Sequence, residues 1–151
     1  MDRLDAVDRR LLAELAQDHR ATVVALADRL SLSRNTVQAR LARLERDGAF
    51  LDFDRAISPA ALGFPLEAFI AVHVEQKVLA AVVQALAGIP EVVQAHGLSG
   101  PVDLLAHVVC RDANDLFRID GAILAIEGVQ RTETSLSMGE LLPYRMRQLL
   151  G

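Results

Sequence analysis

The stretch 33–48, S-R-N-T-V-Q-A-R-L-A-R-L-E-R-D-G, constrains this chain more than any other, because at 100° per residue its apolar and cationic side chains fall on opposite sides of one helix. Val37, Leu41 and Leu44 form the inward stripe. Ser33 is suited to cap the first turn through its hydroxyl, and Gly48 tolerates the left-handed backbone beyond the last turn, so both ends are marked. The opposite face carries Asn35, Gln38, Ala39, Ala42, Arg43 and Arg46. Amides come first, arginines follow, and the small residues between them allow close approach to a groove. Just upstream, 22–30 is a shorter amphipathic helix with Val23, Leu26, Ala27 and Leu30 on one side, and only Ser31, Leu32 and Ser33 separate the two. Two helices across so short a turn, the second polar and cationic outward, predict a helix-turn-helix. An ordinary pair of core helices with a solvated face would give the same local pattern, so the rest of the chain has to decide.

Charge distribution favours the first alternative. The net charge of −4 argues against a protein that coats nucleic acid by bulk charge. Residues 1–64 hold ten Arg against ten Asp plus Glu, whereas 65–151 hold six Lys plus Arg against ten acids, which puts the −4 in the second half. Between Arg29 and Arg46 there are five Arg and one acid, a local +4. With 52 % hydrophobic residues and 4 % aromatic, any core is aliphatic, and 151 residues suffice for one average domain or two small ones. A single cysteine, Cys110, makes no intrachain disulfide and no metal cluster, which fits a reducing compartment. The acidic start lacks the apolar run of a signal peptide and no stretch is long enough to span a bilayer, so the expectation is a soluble cytoplasmic protein with no cofactor and no membrane partner.

Along the chain, 5–17 is a first helix with Asp5 as cap, Asp8 in the first turn, and Val7, Leu11, Leu12 and Leu15 on one side. With the next two helices it makes a three-helix domain, 1–52. After Gly48, 49–53 alternates in strand fashion, and 58–63 reads as one helical turn with serine cap, proline at the first position and terminal glycine. This ordered connector, 53–65, leads into 66–151, where strand 66–75, helix 78–87, strand 92–98, strand 102–109, helix 114–126 and strand 129–138 follow in the order βαββαβ. That order folds most simply as a four-stranded antiparallel sheet with both helices on one face. Leu66, Ala68, Ile70, Val72 and Val74 point to that face, matched by Leu79, Val82, Val83 and Leu86 on the first helix. Gly121 weakens the second helix. The other side of the sheet presents Phe69, Ala71, Leu105 and Val109, and an exposed face this apolar predicts a partner, most economically a second identical subunit. His73, His96 and His107 share that side. No acid or cysteine sits at ligand spacing among them and a dimer face is a sufficient home, so no metal is expected.

Taken together, the segments 4–15 (L-D-A-V-D-R-R-L-L-A-E-L), 30–48, 57–63 (I-S-P-A-A-L-G), 97–108 (G-L-S-G-P-V-D-L-L-A-H-V) and 128–135 (G-V-Q-R-T-E-T-S) resemble the Lrp/AsnC (feast/famine) transcription regulators over essentially the whole chain. Asp52 and Phe53 depart from the glycine and tyrosine common there. The resemblance implies an α+β protein with an N-terminal three-helix helix-turn-helix domain and a C-terminal βαββαβ ferredoxin-like (RAM) domain. It also implies a homodimer, often assembled further into an octamer, and an amino acid or related small-molecule effector held among loops near the turn joining the second and third strands. Matching positions are Leu98, Ser99, Gly100, Pro101 and Asp103, with Thr132 and Thr134 as secondary contacts. A glycine allows close backbone approach and an aspartate accepts from an ammonium. A tight Gly-Pro hairpin capped by Asp103, with cross-strand packing of the threonines, accounts for the same residues.

On the duplex, only the first turns of a recognition helix usually reach bases. Arg34, Asn35, Thr36 and Gln38 are therefore the expected base contacts, and Arg40, Arg43 and Arg46 mainly backbone contacts, with Arg43→Ala flattening the salt dependence by roughly one log unit of slope. The predicted function is a sequence-specific DNA-binding transcription regulator responsive to an amino-acid-like effector, without catalytic residues. The alternatives are a sirohaem-decarboxylase-like enzyme resembling the same family, disfavoured by the acidic second half with its single lysine, and an architectural DNA-binding protein with no effector.

Overall fold

Asp5 starts the first helix because its carboxylate accepts the Asp8 amide (2.8 Å) while the Asp8 carboxylate accepts the Asp5 amide (3.0 Å), a reciprocal capping box. In the computed structural model, which describes residues 4–150, helix α1 runs Ala6–Gln17, α2 Val23–Leu30 and α3 Arg34–Arg46. Met1, Asp2, Arg3 and Gly151, the outer limits of the two predicted domains, lie outside the described residues. Thr22 and Ser33 cap α2 and α3 through their hydroxyls. The turn between them is made by Ser31, in the left-handed region at φ 54°, and closed by the Leu32 amide donating to the Ala27 carbonyl (2.9 Å). Gly48, at φ 73°, ends α3 in the same way, with the Ala49 amide on the Leu44 carbonyl (2.8 Å). Leu11, Leu26, Ala27, Leu30, Val37 and Leu44 form the core of this helical unit, with Leu12, Leu15 and Leu41 packed around it.

The predicted strand at 49–53 does not form. Phe50, Leu51 and Phe53 are exposed and a short 3-10 turn, Phe53–Ala56, follows. The alternation is there, but a strand needs a ladder partner for its backbone groups and none lies beside it among the described residues. The turn at 58–63 does form, as a 3-10 segment Pro59–Leu62 ended by Gly63 at φ 90°, but the Ser58 hydroxyl makes no capping hydrogen bond.

The second unit is a single antiparallel sheet of β1 (Leu66–Val74), β2 (Val92–Gly97), β3 (Leu104–Cys110) and β4 (Val129–Leu136) in the order β2-β3-β1-β4, with α4 (Leu79–Ala87) and α5 (Ala113–Leu124) as crossovers. Ala68, Ile70, Val72 and Val74 from β1, Leu104, Ala106, Val108 and Cys110 from β3, Val82 and Leu86 from α4, and Ile119 and Ile123 from α5 are buried together. Both helices therefore cover one face. Val83, predicted inward, is exposed on the outer side of α4. Gly121 leaves α5 uninterrupted, and the Ile119 and Ile123 side chains on either side of it are buried in the core. A Cys110 thiol in this core is pushed up in pKa by burial, which suits a buried apolar group.

The fold is thus α+β, a three-helix helix-turn-helix unit and a βαββαβ unit. Of the described residues, those up to Ala56 and those from Leu142 cluster as one compact unit and Ile57–Leu141 as the other, whereas the sequence assigned 66–151 to one domain. The tail ends in a 3-10 turn, Arg147–Leu149, and Arg9 Nη1 donates to the Leu149 carbonyl (3.2 Å). A tail of scattered leucines and arginines carries no period that foretells this. Among the described residues no helix is long and apolar enough to cross a membrane.

Candidate nucleic-acid interface

Helix α3 turns Val37 and Leu44 inward and leaves Arg34, Asn35, Thr36, Gln38, Ala39, Ala42 and Arg46 exposed. Capping fixes where this face begins. Ser33 accepts the Thr36 amide (3.1 Å) and its hydroxyl lies 2.8 Å from that of Thr36, so the first turn and the Thr36 rotamer are tied together. Asn35, Thr36, Ala39, Arg40 and Arg43 line a shallow open depression together with Asp5 of the α1 cap. The four residues expected to read bases are all exposed in the first turns of the helix, Asn35 and Thr36 of them at the depression.

Arg40 and Arg43 are placed differently from Arg34 and Arg46. The Arg40 Nη1 donates to Asp5 Oδ2 (2.6 Å) and to Asp8 Oδ1 (2.8 Å), and Arg43 Nη2 donates to Asp8 Oδ2 (2.5 Å). The Asp8 side chain is 0 % exposed, its Arg40 and Arg43 partners 25 % and 36 %. Burial pushes the Asp8 pKa up, but hydrogen bonds from Arg43 and Arg40 and from the Asp5 amide outweigh it and hold the carboxyl below its ordinary value. The Arg40 hydrogen bond, with the Asp8 amide, lowers the Asp5 carboxyl to about 2. Both acids are therefore ionised at neutral pH, and the two guanidiniums are matched by two carboxylates.

This corrects the electrostatic picture of the helix. The local +4 counted along the sequence is not a +4 in space, because Arg29 also pairs with acids of the α1 segment, Glu14 (3.5 Å) and Asp18 (3.1 Å). Of the five arginines from 29 to 46, Arg34 and Arg46 are the two without an acidic partner among the described residues. Sequence reasoning took Asp8 only as a first-turn acid. The signal that could have found it is a pair of acids at i, i+3, Asp5 and Asp8, matched by a pair of arginines at the same spacing, Arg40 and Arg43.

In the sheet unit the loop after β2 is closed by the Leu98 amide on the Asp103 carbonyl (2.9 Å), leaving Leu98, Ser99, Gly100 and Pro101 exposed at its tip. The Asp103 carboxylate accepts from the Val74 amide (3.0 Å) and from Gln76 Nε2 (2.9 Å), and these two bonds, the backbone one first, lower its pKa. It fastens the loop to the end of β1. Gly100 has neither a positive φ nor any atom within reach of an added Cβ, so its local backbone does not demand glycine. Thr132 and Thr134 pair with Val72 and Ile70 on the helix-covered side of β4, and Thr134 Oγ1 donates to Asp120 Oδ1 (2.7 Å). Thr132 is level with Leu104 but two strands away, so the structure gathers the five loop residues and sets the two threonines apart.

The uncovered face of the sheet carries Phe69, Ala71 and His73 of β1 opposite His107 and Leu105 of β3, and His96 of β2 opposite Leu105. The Phe69 and His107 rings stack with centroids 4.8 Å apart, and His107 Nε2 lies 2.7 Å from Glu67. His73 lies 3.3 Å from Glu133 and 3.1 Å from Arg131. Among the described residues no group of three or more His, Cys, Asp and Glu is arranged to hold a metal ion.

Comparison with known proteins agrees with both units. Residues 4–45 match the AsnC-type helix-turn-helix domain and residues 67–146 the Lrp/AsnC ligand binding domain. An HTH-type transcriptional regulator of Mycobacterium tuberculosis is 32 % identical over 143 residues, covering 94 % of this chain and 97 % of its own. The leucine response regulatory protein LrpA of the same organism superposes with a TM-score of 0.80 at 30 % identity, over 95 % of this chain and 98 % of its own. A transcriptional regulator of Neisseria meningitidis, solved as a complex with L-Met, gives a TM-score of 0.83 at 27 % identity, over 93 % and 94 %. With a helix-turn-helix, a βαββαβ sheet and both domain models matched in order, the chain belongs to the Lrp/AsnC family of helix-turn-helix transcription regulators.

Proposed function

We propose that the chain is a sequence-specific DNA-binding transcription regulator whose binding or assembly responds to an amino acid, and that it is not an enzyme. The observation that carries this reading is the exposure of Arg34, Asn35, Thr36, Gln38 and Arg46 on one side of α3 while Val37 and Leu44 hold the other side in the core. Asn35 and Gln38 suit adenine edges, Arg34 suits guanine, Thr36 suits either base type, and Arg46 near the helix end suits a phosphate. Arg40 and Arg43 flank this set at the depression shared with Asp5. The protein acts as a homodimer joined through the uncovered sheet face, its two copies of α3 reading successive major grooves, which lie about 34 Å apart on the duplex, and dimers join further, as in an octamer. Phe69, Ala71 and Leu105 on a face without helices support that interface.

The effector is an amino acid or a close relative, bound at the tip 98–101 and beside Asp103, with Thr132 and Thr134 as outlying contributors. The L-Met complex of the meningococcal relative supports this class of ligand. A footprint on the DNA upstream of the protein's own gene, with and without a panel of amino acids, tests both halves. Protection of a near-palindromic site, changed by one amino acid, is the expected result. Binding indifferent to sequence would rule out the specific regulator, and protection unmoved by any amino acid would leave it without this effector.

A further inference from the structure

Asp8 is a carboxylate with no exposed surface, yet it faces the cationic side of the helix assigned to DNA. Its two oxygens take Arg40 and Arg43 separately, at 2.8 and 2.5 Å, and Asp5 takes Arg40 a second time at 2.6 Å. Its own placement is fixed twice over, by the capping box with Asp5 and by the packing of α1 through Leu11. An acid built so rigidly into the first turn of one helix, and bridging two arginines one turn apart on another, does two things. It sets the rotation of α3 about its axis, and together with Asp5 it offsets the charge of the two guanidiniums nearest the depression.

We propose that Asp8 is a positioning residue for DNA reading, which holds the recognition helix in register and withholds Arg43 from phosphate so that binding depends on base contacts rather than on charge. This rests on the DNA-reading role proposed above for α3. The physical logic is that each phosphate neutralised by a free cation adds sequence-independent affinity and makes binding steeper in salt, by about 0.9 in log–log slope. A guanidinium already bonded to a buried carboxylate has to break that bond before it can contribute. Masking therefore lowers affinity for all sequences equally and leaves the ratio between operator and other DNA to the exposed residues at the start of α3.

The test uses the full-length protein, DNA from upstream of its own gene, and a mixed-sequence duplex, with affinity measured across a salt series. Asp8→Asn keeps the side-chain oxygen shared by the Asp5 amide and Arg43 but removes the charge, so Arg43 is left with only a neutral, weaker acceptor while Asp5 keeps Arg40. The expected result is a log–log salt slope steeper by about 0.9 per bound subunit and tighter binding to the mixed-sequence duplex at low salt, both from the freed Arg43, with a smaller ratio of upstream to mixed-sequence affinity because α3 loses the bonds that set its rotation. Asp8→Glu, which restores the charge, is expected to return the slope to that of the wild type. Arg43→Gln in the otherwise native protein is expected to leave the slope unchanged, against the slope lower by roughly one that the sequence alone predicts for losing Arg43, and this measurement stands even where Asp8→Asn fails to fold. A slope lowered by about 0.9 in Arg43→Gln, or unchanged in a folded Asp8→Asn, overturns the proposal while leaving DNA binding intact. A wild-type protein that ignores both DNAs while Asp8→Asn binds them supports the masking. Failure of both to bind overturns the DNA-reading role itself and the proposal with it.

Discussion

Gly128 precedes β4 at φ +94°, and a Cβ built there overlaps the Val78 Cγ2 methyl and comes to 3.5 Å of Val82 Cγ2. Its carbonyl accepts the Glu75 amide (3.1 Å), so the peptide is not free to turn away from the clash. Gly128→Ala therefore meets two separate penalties. Left-handed backbone costs a residue with a Cβ roughly 1–2 kcal/mol, and forcing a methyl into a packed site costs about 1–3 kcal/mol. Some relaxation of Val78, which is only partly buried, brings the expected total to about 3 kcal/mol. For a unit of this size that corresponds to a fall in melting temperature of roughly 15 °C. The assay is urea unfolding followed by far-ultraviolet circular dichroism, with the sheet transition compared between wild type and variant. Adding Val78→Ala to Gly128→Ala removes the overlapping methyls and is expected to recover about 1–2 kcal/mol relative to the sum of the two single changes. A loss below about 1 kcal/mol in the single variant, or strict additivity in the pair, would refute the assignment of the cost to backbone and overlap.

Three further outcomes follow from the packing and the charges. Leu11→Ala, at a fully buried site in the small helical core, is expected to cost about 3 kcal/mol and to abolish DNA protection, whereas a wild-type footprint would contradict the dependence of α3 on α1. Asp5 and Asp8 have folded-state pKa values below the ordinary 3.8, Asp5 at about 2. Their contribution to stability is thus fully present above that ordinary value and is lost as pH falls toward 2. Thermal unfolding at stepped pH should show the helical unit weakening in that window, and Asp8→Asn should flatten the effect. Phe69→Glu on the uncovered sheet face is expected to yield monomers by sedimentation, and an unchanged particle mass would move the interface elsewhere.

Much of the fold is legible in the sequence because its signals are local. Ser33 and Gly48 mark the ends of α3 by chemistry that depends on the next few residues alone, and the period-two pattern from Leu66 to Val74 names the covered face of β1 before any neighbour is known. The exposure of the α3 residues proposed to read bases follows from the same rule, since 100° per residue separates them from Val37 and Leu44. Pattern fails where an outcome depends on a partner far along the chain. The alternation at 49–53 specifies strand-like side chains but supplies no second strand, and Phe50, Leu51 and Phe53 stay exposed. The charges fail in the same way, because a count along the chain sees Arg40 and Arg43 beside other arginines, while folding brings them to Asp5 and Asp8 more than thirty residues away.

Local pattern thus named the three helices of the first unit, the six elements of the second, most of the faces they bury and the helix proposed to enter a groove. Only the tertiary structure decided how charged that helix is, by burying Asp8 under it, and which predicted contacts keep company, by tying Asp103 to β1 and turning Thr134 toward Asp120. The division has one cause. Backbone geometry acts over a turn or a pleat and is written in neighbouring residues, whereas the partner of a buried charge is chosen by the packing of distant segments.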